Sequence, residues 1–286
     1  KNELEDLHSD NIDELQFPDL YFFVPQYLIA CQQGQLTVLI GNEGIREAIL
    51  NTAPLNGEYN ADVSIESRID KTTYLHRIQQ LKEQIQQGNC YEVTFCQEFF
   101  ARNAAINPLF IYQQLSLHSP APFSGYFKIR DQYILSASPE RFLCKRGTRL
   151  ISQPIKGTAA RSENAAIDEL NRLNLEKDQK ERAENVMIVD LVRNDLTRSA
   201  KPATVVVEEL FGIYSFPQVH QMISTISCEL QPALHFIDAI KNTFPMGSMT
   251  GAPKISAMRF IEQFESTKRG AYSAAIGYID PKGDFD

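Results

Sequence analysis

The chain has 286 residues, 43% of them apolar and 22% charged, with a formal net charge of -8. That composition belongs to globular proteins, and the length suffices for one large domain or two ordinary ones. The acidic balance, without any Arg/Lys cluster, argues against a nucleic-acid partner, and no apolar run reaches the ~18 residues of a membrane span.

The opening KNELEDLHSD has no apolar core of a secretory signal. Five scattered cysteines (Cys31, Cys90, Cys96, Cys144, Cys228) form no CxxC pair, which argues for a reducing cytoplasm over a disulfide framework or zinc site. Residues 16–40 read as strands, broken at Pro25 and turned at Gly34. Residues 51–66, with Pro54, Gly57 and several Asn and Asp, read as a linker. Asp70 then caps a predicted helix through Gln87, with Tyr74, Ile78, Leu81 and Ile85 on one stripe and Gly88 closing it. Strands are predicted in YEVTFCQEFF (91–100), FSGYFKI (123–129), YILSASPERFLCKR (133–146) and RLISQPIKG (149–157). Helix formers dominate from Ser162 to Asn194. A strand in ATVVVEELFGIYSF (203–216), helices around 233–243 and over 251–264, and a strand in YSAAIGYID (272–280) complete the series. Strands in succession with helices inserted late give an α+β pattern rather than βαβ alternation.

Four stretches carry chemistry. In SQPIKGTAAR (152–161), Lys156 lies between apolar Ile155 and phi-permissive Gly157. A lysine that only solvates a loop needs no such setting, whereas a nucleophile or anion clamp must be held still and partly desolvated. In EKDQKERAENVMIVDLVRND (176–195), helical spacing puts Glu181 and Glu184 on the arc of Met187, Ile188, Leu191 and Val192. Either these acids project into water beyond the core, or they are compensated by a cation. Hard oxygen donors at i and i+3 suit Mg²⁺.

In MGSMTGAPKISAMRFIEQFE (246–265), Thr250 stands where an N-cap belongs, with Gly251 beside it and Pro253 in the first turn. Free N–H groups at such a helix start bind anions, although the spacing is not that of a phosphate-binding Walker loop. In SASPERFL (136–143), Pro139 fixes the turn before Glu140, which is either a surface turn acid or an aimed carboxyl. His220 in SFPQVHQMIS has an apolar neighbourhood and reads first as a hydrogen-bonded core histidine. No GxSxG and no Cys/His pair suggests a hydrolase.

In this order, SASPERFL, PIKGT, KERAENVMIVDLVRNDL, FPQVHQMIS and GSMTGAPKISAMRFIEQFE resemble the chorismate-utilising enzyme family, in its aminodeoxychorismate-forming (para-aminobenzoate synthase component I) branch. The resemblance covers roughly 65–286, the expected chorismate-binding catalytic domain, whereas 1–64 resembles only the family's variable N-terminal region. It implies an α+β anthranilate-synthase-component-I-like fold, with antiparallel sheets packed face to face and helices outside. It also implies that the domain's C-terminal part, with further metal-binding glutamates, lies beyond Asp286.

The implied activity is Mg²⁺-dependent amination of chorismate at C4, towards para-aminobenzoate and folate. Ammonia would come from a glutamine amidotransferase subunit, in the cytoplasm. By resemblance Glu181 and Glu184 are Mg²⁺-site acids, Glu140 protonates the departing C4 hydroxyl, and His220 is an active-site histidine. Thr250, Gly251 and Tyr272 lie where the family binds substrate carboxylates. Lys156 is the residue proposed to add to ring C2. Related anthranilate synthases usually read PIAGT at this motif, and isochorismate synthases carry a lysine base where this chain has Glu92. GTAARS departs from the family's basic GTRPRG, which leaves no role assigned to Arg161. An anthranilate synthase component I and a non-catalytic binding relative are the alternatives.

Overall fold

A computed structural model describes residues 7–53 and 63–286. From residue 7 the described chain runs without helix or strand, apart from a single bridge of Ile12 to Thr267, up to a hairpin of β1 (Leu28–Gln32) and β2 (Gln35–Ile40). Gln33 and Gly34 both take positive φ there, the geometry of a two-residue hairpin turn. The stretch 16–27, expected as strand, is not one. Pro18 and Pro25 interrupt it, and the Tyr21 and Phe23 rings pack instead on Phe127 at 6.3 and 6.0 Å. Residues 10–12 are hydrogen-bonded to Glu262 and Lys268, and Glu14 pairs with Arg68 and Arg102.

Helix α1 (Gly44–Leu50) was not anticipated from sequence. Much of the expected linker, 54–62, lies outside the described residues. After β3 (Glu66–Ser67) comes α2 (Lys71–Gln86), capped as expected, with the Asp70 carboxylate accepting from Thr73 N and Gly88 at φ 79 beyond its end. YEVTFCQEFF supplies only two short pieces, β4 (Glu92–Val93) and β5 (Phe99–Phe100). Their partners offer just two residues each, so the β-rich sequence between them has nothing to pair with.

Helix α3 (Pro108–His118) was also unforeseen, although Asn107 caps it by accepting from Leu109 N and Phe110 N, with Pro108 at the first helical position. It packs against the hairpin of β6 (Phe123–Ile129) and β7 (Gln132–Ser138). Then follow β8 (Arg141–Arg146), β9 (Arg149–Gln153) and β10 (Ile155–Ala160). The polar helical region is two helices, α4 (Ala165–Lys177) and α5 (Gln179–Thr197), and Asp178 both ends the first and caps the second.

Strands β11 (Val206–Ser215) and β12 (Val219–Glu229) complete an antiparallel five-stranded sheet. In it β12 is central: its first half pairs with β10, its last residues with β9, and β11 runs along its other edge. His220 to Cys228 are all buried, so this strand is covered on both faces. Helix α6 (Phe236–Thr243) starts in a capping box of His235 and Asp238. After a 3₁₀ turn at Gly247–Met249, β13 (Gly251–Ala252) pairs with β4, and α7 (Lys254–Phe264) follows.

YSAAIGYID is not a strand. Among the described residues its pairing is that of Tyr278 with Asp286 and Ile279 with Phe285, because turns closed by the Tyr272 N–H to Arg269 O and the Ala274 N–H to Ala271 O break the extended run before them. Every named strand pair is antiparallel and helices lie between and around the sheets, which is the expected α+β class. The core joins Leu143, Leu150, Ile226 and Cys228 of the large sheet to Ile188, Val189, Val192 and Leu196 of α5. The buried face of α5 is therefore turned slightly from the expected arc. Asn185, Ile188, Val189, Val192, Asp195 and Leu196 are inside, whereas Met187 and Leu191 are half-buried.

Candidate active site

Pro154 separates β9 from β10, and the β10–β12 register slips between Ile155 and Thr158. Such a bulge re-aims side chains, and here Gly157 takes φ 100 at its centre. The Lys156 side chain next to it is 19% exposed and places Nζ 2.6 Å from Glu92 Oε1. The lysine is therefore immobilised and partly desolvated, as a reactive or anion-binding amine requires. Sequence reasoning used Glu92 only to set aside another enzyme class and missed this contact.

Glu92 is itself clamped. Its strand β4 pairs with β13, and a side chain at Gly251 would put its Cβ 2.1 Å from the Glu92 carbonyl oxygen. Only glycine, at φ 138, allows that approach. Thr250 O accepts from Thr94 N on the other side. The GSMTGAPK loop and the YEVTF segment are thus locked to each other beside Lys156.

Glu140 sits at the corner between β7 and β8. Burial pushes its carboxyl above the usual carboxylate range, opposed by hydrogen bonds from Ser248 and the Ile155 backbone and by the nearby Lys156 charge. A cavity of about 20 Å³, room for one water, adjoins it between Ser248, Asp195 and Thr243. Ser248 is a second residue that sequence reasoning missed; its place in GSMTG, ahead of the expected anion site, was the available signal.

Thr250 does not cap α7. Its buried hydroxyl donates back to Met246 O and Gly247 O, and Pro253 occupies the N-cap position. The 3₁₀ turn before it ends the chain's approach three residues too early for a threonine cap. Gly251 is buried against Glu92. Tyr272 is 62% exposed in a turn closed by its N–H to Arg269 O. Arg269 in turn donates to Thr94 O and pairs with Glu265, tying that turn to the YEVTF segment.

His220 is buried, with Nδ1 2.8 Å from Ser215 Oγ and Nε2 3.1 Å from Asp168 Oδ1. Asp168 is gripped by Arg161, which together with the Ser162 N–H holds its carboxyl far below the usual range. These contacts are those of a satisfied core histidine; the structure shows none from it to Glu140, Lys156 or Glu92 among the described residues.

Glu181 and Glu184 stand in the first turns of α5, where the helix dipole favours negative charge. The Lys180 ammonium reaches both, at 3.4 and 3.0 Å, so the two carboxylates already converge on one cation. Glu181 also lies against Gly157, next to Lys156.

Residues 2–286 match the family described as chorismate binding enzyme. The chain belongs to that family. It is 37% identical over 235 residues to aminodeoxychorismate synthase component 1 of Klebsiella aerogenes, covering 82% of this chain and 52% of the relative. It is 35% identical over 223 residues to anthranilate synthase component 1 of Bacillus subtilis, covering 78% of this chain and 43% of the relative. Anthranilate synthase component I from Streptococcus pneumoniae TIGR4 superposes with a TM-score of 0.88 at 27% identity, over 99% of this chain and 67% of that one. The chain spans about half the length of the curated relatives it matches.

For a chorismate binding enzyme of this build, the Mg²⁺ expectation can be weighed against the donors present. Among the described residues no group of three or more His, Cys, Asp or Glu side chains is arranged to hold a metal. Two carboxylates on successive turns do not make an all-protein cage. They fit an ion that keeps several waters and takes further oxygens from its substrate, as Mg²⁺ does.

Proposed function

We propose that this chain is the chorismate-binding part of an aminodeoxychorismate synthase component I. It would aminate chorismate at C4 to 4-amino-4-deoxychorismate, on the way to para-aminobenzoate and folate. The observation that carries this reading is Lys156, held beside Glu92 at 2.6 Å in a bulge that also brings it near the Glu140 carboxyl. An enzyme attacking C2 directly with ammonia has no use for a fixed, shielded amine at that point.

In this reading the Lys156 amine adds to ring C2 while Glu140 protonates the departing C4 hydroxyl. Ammonia then bonds to C4 and the lysine is released. One difficult substitution is thereby split into two easier ones, with a positioned acid for the leaving group. The raised Glu140 carboxyl suits it to carry that proton near neutral pH. Glu181 and Glu184 would hold Mg²⁺, which when bound supplies a hard positive charge for a carboxylate of chorismate. Gly251 would line the substrate through its backbone, and Thr250, whose hydroxyl, N–H and carbonyl are all bonded within the fold, would hold that glycine in place. Tyr272, largely exposed, would meet substrate from the loop side. His220 would act at a distance, by tying β12 to β11 through Ser215 and to α4 through Asp168. Ammonia would come from a glutamine amidotransferase partner, in the cytoplasm; no helix among the described residues is long and apolar enough to cross a membrane.

Anthranilate synthase chemistry is the second reading, favoured by the TM-score of 0.88 to an anthranilate synthase component I. The full-length protein, given chorismate, Mg²⁺ and ammonium salt, decides between them by the mass of its product. A product keeping the enolpyruvyl group with nitrogen at C4 supports the proposal. Anthranilate and pyruvate overturn it in favour of the second reading.

A further inference from the structure

We propose that Glu92 is the proton partner of Lys156: it holds the ammonium in the resting protein and takes one proton from it so that the amine can add to substrate. This deepens the C4-amination reading and rests on it.

The geometry that points there is specific. Glu92 Oε1 is 2.6 Å from Lys156 Nζ, and both side chains are largely shielded, at 16% and 19% exposure. Glu92 Oε2 is buried and has no hydrogen-bond partner. A buried carboxylate oxygen without a donor is costly. Glu92 therefore keeps an acceptor in reserve where a purely structural ion pair would be satisfied on both oxygens. Its backbone cannot drift, because Gly251 packs on its carbonyl and strand β4 is held by β13.

Two carboxyl groups face Lys156, Glu92 from β4 and Glu140 from the β7–β8 corner, and their surroundings divide the work. Glu140 is buried, held by Ser248 and the Ile155 backbone, and pushed towards its protonated form. It keeps a proton to give to the hydroxyl. Glu92 faces the ammonium directly and is the one placed to receive.

The step balances. Lys156 gives one proton to Glu92, leaving a neutral amine and a carboxyl. The amine lone pair forms a bond to ring C2, the two ring double bonds shift, and the C4–O bond breaks. The oxygen leaves as water with the Glu140 proton. Ammonia next bonds to C4, the double bonds shift back, and the C2–N bond breaks, returning its electron pair to Nζ. Lys156 recovers its proton from Glu92, and Glu140 recovers one from the new C4 ammonium.

The test has two arms on the full-length protein. Without substrate, acetic anhydride labelling of the Lys156 peptide is followed by mass at neutral pH in wild type, Glu92→Gln and Glu92→Asp. Removing the paired carboxylate frees the amine from its ion pair, so Glu92→Gln should label several-fold faster. With chorismate, Mg²⁺ and ammonium, the same variant should turn over roughly 10²-fold more slowly, the scale of lost acid–base assistance. Glu92→Asp should recover part of that rate. A Glu92→Gln rate that recovers as pH rises, when solvent base can take the Lys156 proton in place of the missing carboxylate, is a signature that a structural role does not produce. Labelling unchanged from wild type, or turnover unchanged in Glu92→Gln, overturns the proposal. Should Glu92→Gln not fold, Glu92→Asp must show faster labelling to a smaller degree, or the proposal fails. If wild type makes no aminated chorismate, the amination reading alone falls, and the labelling arm still decides whether Glu92 holds the Lys156 proton.

Discussion

Glu181 packs against Gly157 so closely that a Cβ at 157 would lie 3.2 Å from Glu181 Cβ and 3.3 Å from its Oε2, with Met222 Cβ at 3.2 Å on the other side. The bulge that aims Lys156 and the helix that carries the candidate metal acids are thus in direct contact. Gly157→Ala should strain the backbone at φ 100 and push on both neighbours, at about 1–3 kcal/mol. Gly147 is the control, because it has positive φ at a hairpin with nothing within 4 Å. Denaturant unfolding should show Gly157→Ala costing clearly more than Gly147→Ala, with activity falling as well only in the former. Equal costs would mean the Glu181 contact exerts no pressure.

Glu140 gives a pH signature in stability as well as rate. Its carboxyl is raised by burial, so the folded state holds this proton to higher pH than the unfolded chain does. The sign follows: stability from this group is present below the ordinary carboxylate range and is lost as pH rises through the raised value. Glu140→Gln carries no charge to bury. Its melting temperature relative to wild type should therefore climb as pH goes from acid to neutral. Hydroxyl loss should meanwhile slow by roughly 10²-fold or more. A melting difference that is flat with pH would mark Glu140 as an ordinary turn acid.

The parts of this architecture that depend on local rules were legible in the sequence. Asp70 and Gly88 bracket α2, and the alternation of FSGYFKI makes β6, because caps and half-buried strands are written within a few neighbouring residues. YEVTFCQEFF and YSAAIGYID misled for one shared reason. Strand propensity says that a segment tolerates the pleat, whereas pairing requires an edge elsewhere in the chain, and among the described residues those edges offer two residues or a single bridge. The site divides in the same way. Lys156, Glu140, Glu181 and Glu184 stood out by residue type and setting. The Glu92–Lys156 contact could not, because it joins segments far apart in sequence through a glycine approach at 251 that no local pattern announces. Thr250 misled because a threonine followed by a glycine and a proline imitates a helix start, while its hydroxyl bonds backwards into the 3₁₀ turn.

Glu184→Gln removes a charge with little change in volume. Glu184 is partly exposed and pairs with Lys180 at 3.0 Å, so the fold should barely notice. A Mg²⁺ site that includes Glu181 and Glu184 loses one of its anionic ligands, so half-maximal activity should need at least several-fold more Mg²⁺, with turnover at saturating Mg²⁺ affected less. Calorimetric titration with Mg²⁺ in the presence of chorismate gives a second reading of the same shift. Lys180→Ala supplies the opposite case: without its competing ammonium the two acids should take Mg²⁺ more tightly. Unchanged Mg²⁺ dependence in both variants would place the metal elsewhere.

Lys156→Ala recreates the PIAGT of anthranilate-type relatives and separates two chemistries that share nearly every other feature of the site. Removing the side chain deletes the ion pair of Glu92, a carboxylate only 16% exposed in the wild-type packing. The variant should therefore lose stability as well, in the direction of a part-buried charge deprived of its partner. Lys156→Met keeps most of the volume and separates packing from charge. If the amine adds covalently to C2, both variants should lose C4 amination, and any residual product should carry nitrogen at C2 by direct attack. The full-length wild-type protein, given chorismate and Mg²⁺ without ammonia, should yield a mass adduct on the Lys156 peptide, and adding ammonium should discharge it. An electrostatic clamp behaves differently: it gives no adduct, and Lys156→Arg, which keeps the charge without a usable nucleophile, would retain C4 amination. Full-rate C4 amination by Lys156→Arg with no trapped adduct would therefore reduce Lys156 to a cation that steadies the substrate.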